Sequence, residues 1–134
     1  MKIFLVTALI LFSTLAIAHE GDHGPAQKVA PHGGVLRDSE SLMYELVRGS
    51  RDIKIYLLTH DGTSIDAKAV EIDSTKTSLT DAKKKKVSYS LVPDKNYFIL
   101  KFEKGSSYRY LLNLVASFEG KENKASWQIE MDVE

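Results

Sequence analysis

Between residues 42 and 133 apolar and polar side chains alternate with a period of two, in run after run. No window of eleven or more residues downstream of residue 18 carries a 3.6-residue apolar stripe. Side chains alternate across a strand but return every 3.6 positions on a helix, so this pattern excludes a helical bundle and an α/β layer. Leu42, Tyr44 and Leu46 alternate with Met43, Glu45 and Val47. Ile53, Ile55 and Leu57 alternate with Lys54, Tyr56 and Leu58, and that run stops at the turn signal His60-Asp61-Gly62. Residues 69–72 form a weaker run. Val87, Tyr89 and Leu91 end at Pro93-Asp94, and Phe98, Leu100 and Phe102 end at Lys104-Gly105. The longest stripe is Tyr108, Tyr110, Leu112, Leu114, Ala116 and Phe118, followed by Trp127, Ile129, Met131 and Val133. Short runs broken by Gly, Pro and Asp predict an all-β fold: an antiparallel β-sandwich or small barrel of about seven strands.

The first eighteen residues follow a different rule. Lys2 supplies a positive start, residues 3–17 are apolar apart from Thr7, Ser13 and Thr14, and Ala16-Ile17-Ala18 is an A-x-A cleavage site. This pattern predicts a secretory signal peptide over 1–18, with a retained anchor as the alternative, and a periplasmic or secreted protein. After cleavage no stable membrane span is expected. Residues 19–33 are broken by Gly21, Gly24, Pro25 and Pro31 and read as a flexible, histidine-containing arm; residues 34–134 read as one β-sandwich-like domain. The 18 basic and 18 acidic residues cancel, which gives no general attraction to nucleic acid or anionic lipid. The four lysines 83–86 read as a solvated hairpin loop, the other reading being a dock for an acidic partner.

There is no cysteine, so disulfides, thiolate metal sites and cysteine nucleophiles are excluded. Any metal must be held by imidazole and carboxylate, which suits Zn, Cu, Ni, Co or Cd. The candidates cluster early. His19 and His23 flank Glu20 and Asp22, and cleavage after Ala18 frees an α-amine on His19 that can chelate together with its ring. The alternative is a merely soluble arm. His32 stands in Ala30-Pro31-His32-Gly33-Gly34, where Pro31 fixes the chain before it and the glycines permit a close turn after it. That framing either holds the ring in place or simply turns the chain into its first strand. His60 flanks a turn and acts only if that turn approaches His32 or the arm. Glu45, on the face of its strand opposite Tyr44 and Leu46, is either plain surface or a carboxylate meeting His32.

The segments APHGGVLRD, LMYELV, IKIYLLTHDGTSID and KASWQIEMD resemble, in that order, the small PHGG-motif N-terminal domain of periplasmic adaptor (membrane fusion) proteins of heavy-metal efflux RND pumps. The resemblance spans roughly residues 30–133 and also extends to short standalone exported proteins. It implies a β-sandwich-like domain with a divalent-cation site at His32 and Glu45. The helical hairpin, lipoyl-like and barrel parts of an adaptor have no counterpart in these residues, so an accessory role is implied rather than a bridge between pump and channel.

No G-x-S-x-G, H-E-x-x-H or phosphate-cradling glycine loop is present, and histidines on an arm and on turns do not make a rigid catalytic shell. The expectation is a non-enzyme without a nucleic-acid partner: an exported protein that binds a divalent transition metal and serves heavy-metal efflux or metal buffering. Its partners would be the ion and an RND-type efflux complex or another envelope protein. The alternative is an envelope protein–protein interaction module whose histidines are incidental.

Overall fold

A computed structural model describes residues 28–131; the signal-like segment, His19, His23 and residues 132–134 lie outside the described residues. Nine strands are found among them: β1 (Val35–Asp38), β2 (Met43–Arg48), β3 (Ile53–Leu58), β4 (Glu71–Ile72), β5 (Ser78–Asp81), β6 (Tyr89–Asp94), β7 (Tyr97–Phe102), β8 (Arg109–Phe118) and β9 (Lys121–Glu130), with one 3-10 turn at Ala67–Ala69. All pairings are antiparallel. The first sheet runs β1-β2-β3-β7-β6; in the second, β8 pairs with β9 along one edge and with β4 and β5 along the other. Two facing antiparallel sheets make an all-β sandwich, and the sheets do not close into a barrel. No helix among the described residues is long and apolar enough to cross a membrane.

Alternation sets the core. Tyr44, Leu46, Ile55, Leu57, Phe98 and Leu100 project from the first sheet against Tyr110, Leu112, Leu114, Trp127 and Ile129 from the second, all buried. Removing such side chains from water is the main favourable term in a chain without disulfides. Trp127 meets Tyr44 edge-on, with ring centroids 5.8 Å apart, and donates its indole N–H to the Val35 carbonyl at 3.1 Å. Beside it Arg37 Nε donates to the Ser126 carbonyl at 3.0 Å. The edges β1 and β9 therefore meet through side chains and not through a main-chain ladder.

Two strands lie outside the predicted runs, β1 and β5, and β9 begins at Lys121 instead of 127. Inside β9 the core position 123 is held by a buried asparagine. The Asn123 side chain accepts from the Ser41 N–H at 2.7 Å and donates to the Ser41 hydroxyl at 2.8 Å, while the Asn123 main-chain carbonyl accepts from the Tyr44 hydroxyl at 3.1 Å. Burial pushes the Tyr44 phenol up, so it stays protonated and able to donate.

The lysine run forms the turn after β5. Asp81 Oδ1 accepts from the main-chain N–H of Lys83 and Lys85, both at 2.9 Å, and Lys84 adopts a left-handed φ of 63°. Thr80 bridges Lys86, after which the chain crosses to the other sheet as β6. The two arms of this hairpin thus end in different layers.

Candidate functional site

The PHGG segment folds as a turn, with Gly33 N–H donating to the Ala30 carbonyl at 3.1 Å. Its two glycines are required for different reasons. Gly33 has φ +73°, a left-handed conformation that favours glycine. Gly34 meets the neighbouring strand so closely that a Cβ there would lie 2.3 Å from the Leu46 carbonyl oxygen and 2.8 Å from Val47 Cγ2. The turn and this close approach seat His32 over the outer face of the first sheet.

Under it lies a row of cross-strand neighbours. Leu36, Glu45, Tyr56, Tyr97 and Asp94 stand opposite one another along β1, β2, β3, β7 and β6. Their parity points them away from the core, yet Glu45 has 0% of its surface exposed. A buried carboxylate is costly unless it is well bonded. Glu45 Oε1 accepts the N–H groups of His32 at 2.8 Å and Gly34 at 2.9 Å, and Oε2 lies 2.7 Å from His32 Nδ1. The His32 ring stacks on Tyr56 with centroids 3.6 Å apart and planes 10° from parallel, and Tyr56 leans on Tyr97 at 5.2 Å. Lys54 Nζ sits 4.8 Å above the Tyr97 ring, and the Tyr97 hydroxyl donates to Asp94 at 3.1 Å. That bond, together with burial and the Asp94 charge, holds the Tyr97 phenol above its ordinary range.

The geometry assigns the ring's tautomer. A carboxylate only accepts, so the proton between Oε2 and the ring belongs to Nδ1, and the lone pair of the neutral ring is on Nε2. No described residue hydrogen-bonds Nε2. Three contacts on the carboxylate and one stacked face fix the direction of that lone pair. His32 also lines a groove of about 550 Å³ with Arg37, Trp127, Gln128 and Glu130, between the edges of β1 and β9.

The other candidates fall elsewhere. His60 Nδ1 is 3.4 Å from Asp38 and its Nε2 is 3.4 Å from the Glu40 carbonyl. It lines a cavity of about 230 Å³ with Lys28, Val29 and Pro31, so the 60s turn approaches the last residues before His32. His19 and His23 lie outside the described residues. Among the described residues no group of three or more His, Cys, Asp or Glu is placed to hold a metal. The fold brings together His32 and Glu45, and adds Tyr56, which sequence reasoning had not singled out. A signal for Tyr56 existed: it is the aromatic residue on the outward parity of β3, directly across from Glu45. Neither a protein-family model, a curated protein nor a solved structure matches the chain.

Proposed function

We propose that this chain is an exported divalent transition-metal-binding protein, without catalytic activity, that buffers an ion or delivers it to a heavy-metal efflux system. The observation carrying this reading is the buried Glu45 carboxylate bonded to His32 Nδ1 at 2.7 Å, which leaves Nε2 as an oriented nitrogen donor. Carboxylate–imidazole pairs of this kind fix the tautomer and raise the basicity of metal-bound histidines. Glu45 then acts by orienting His32, since its oxygens are already engaged by three N–H groups.

One nitrogen does not hold Zn(II) or Ni(II) alone. In this proposal the remaining donors come from the segment before residue 28, which carries His19, Glu20, Asp22 and His23. His23 is nine residues from His32, and an extended chain of nine residues spans about 30 Å, so reach does not limit it.

Calorimetric titration with Zn(II), Cu(II), Ni(II) and Co(II) tests the proposal. Dissociation constants tighter than about 1 mM support it. His32→Ala is expected to weaken binding more than His19→Ala, and no saturable heat with any of the four ions would reject the proposal. The alternative, an envelope interaction module, is favoured by the use of Glu45 to tie down the His32 and Gly34 amides, a purely structural service. It predicts no metal response and unchanged partner capture in His32→Ala.

A further inference from the structure

A second surface, at one end of the second sheet, owes nothing to His32. Four consecutive lysines stand on the turn after β5, all exposed, and none forms an ion pair with another described residue. The turn is not loose. Asp81 caps it through two main-chain amides, and the Ala82 N–H donates to the Ser107 hydroxyl at 3.1 Å, tying it to the loop before β8. Lys84 occupies a left-handed conformation in which glycine or asparagine is the low-cost choice, so a cation is kept there at a conformational cost.

Apolar groups adjoin the cations. Lys86, Thr80, Leu111 and Gln128 are successive cross-strand neighbours on the outer face. Leu111 is 41% exposed and Tyr108, on the tied loop, 49%. Beneath the turn is a cavity of about 290 Å³ lined by Ala82, Tyr110 and Leu111 together with Asp81, Arg109 and Gln128. The nearby acids are engaged: Asp81 by the turn, and Glu130 by Arg109 at 3.5 Å.

From this surface we propose that the protein docks peripherally on an anionic phospholipid bilayer, with the four lysines among the headgroups and Tyr108 and Leu111 at the acyl boundary. Lysine stems lie along apolar surface while their ammonium groups reach phosphate, and tyrosine is suited to the headgroup level. An acidic protein segment would satisfy the charges but would leave Leu111 and the cavity unexplained. The chain's overall neutrality gives no long-range attraction, so contact with lipid is confined to this patch and sets one orientation.

The test is co-sedimentation of protein recovered after export with vesicles of phosphatidylglycerol and phosphatidylcholine in equal parts, against vesicles of phosphatidylcholine alone. Each lysine near an anionic surface is worth about fivefold in partitioning. The quadruple variant K83Q/K84Q/K85Q/K86Q should therefore lose about 10²–10³-fold, and Leu111→Ser about three- to tenfold. Raised salt should weaken the wild type and not the quadruple variant. K84G, which relieves the backbone and removes one charge, controls for folding and should lose about fivefold. Equal partitioning of wild type and quadruple variant, or no preference of the wild type for anionic vesicles, overturns the proposal. Lysine-dependent capture by a polyglutamate peptide without vesicle binding overturns it in favour of an acidic protein partner.

Discussion

Replacing Glu45 with glutamine changes one oxygen to an amide nitrogen at nearly constant volume, and the hydrogen bonds around it dictate the response. The two main-chain donors, His32 N–H and Gly34 N–H, converge on Oε1, so the amide oxygen stays there and the NH₂ group turns toward the His32 ring. That group is a donor, and Nδ1 must become an acceptor; the ring proton moves to Nε2. Hydrogen bonds to a charged group are worth about 1.5–3 kcal/mol and neutral ones about 0.5–1.5 kcal/mol, so three weakened bonds with none lost cost about 3–4 kcal/mol. For a domain of this size that lowers Tm by roughly 12–16 °C. Nitrogen-15 spectroscopy of the imidazole at about pH 8, where an ordinary histidine is neutral, reads the tautomer directly. Wild type should show a protonated Nδ1 and a bare Nε2, and Glu45→Gln the reverse. With the lone pair withdrawn, metal affinity should fall about 10–100-fold. A ring already protonated at Nε2 in the wild type, or a tautomer unmoved by the substitution, would refute the orienting role of Glu45 whether or not a metal binds.

The two glycines of the PHGG turn should respond unequally. Gly33→Ala meets no atom within 4 Å and incurs only the left-handed backbone cost, about 1 kcal/mol, whereas Gly34→Ala collides with the Leu46 carbonyl and should cost about 3 kcal/mol or more. Thermal melts decide it, and equal losses would contradict the close approach. Acid should destabilise the fold. Asp61 is held below the usual carboxylate range by the Thr59 hydroxyl, Asp73 by that of Thr75, and Glu122 by the Lys76 ammonium and then that of Lys124. A carboxyl whose folded value is depressed stabilises above its unfolded value and loses that contribution as pH falls through the folded one. Tm should therefore stay level from neutrality down to about pH 5 and drop below about pH 4. A Tm that holds or rises on acidification would contradict these bonds.

The strands that bury a regular row of side chains were legible as alternation, and those that bury one were not. β1 keeps a single half-buried residue, Leu36, and β5 a single fully buried one, Leu79, so neither carries a periodic signature; both are strands because a longer neighbour pairs with them. The start of β9 was hidden because Asn123 fills a core position with a satisfied polar group. Pro93 marked the end of a run, yet it lies inside β6, an edge strand where a missing N–H removes no ladder bond. At the site, alternation assigned Glu45 to an outward face, and only the chain folded back through Pro31 and His32 turns that face into an interior. A hint was present: Met43 and Leu58 share Glu45's outward parity, are apolar, and are 2% and 1% exposed. Two buried faces on one sheet mean something covers it, but which residues do so depends on contacts between positions 13 apart.

The junction of β1 and β9 has a mechanical consequence. Elsewhere adjacent strands share main-chain ladders, ten residue pairs long between β8 and β9, whereas β1 and β9 are joined by the Arg37 and Trp127 side-chain bonds. Side-chain links yield one at a time, while ladders resist together. A pull applied through the N-terminal segment would therefore load the bonds between His32, Gly34 and Glu45 first, next this side-chain line, and only then the β8–β9 hairpin. A partner that tugged on the segment before residue 28 would act on the grip around the His32 ring while leaving the main body of the fold intact.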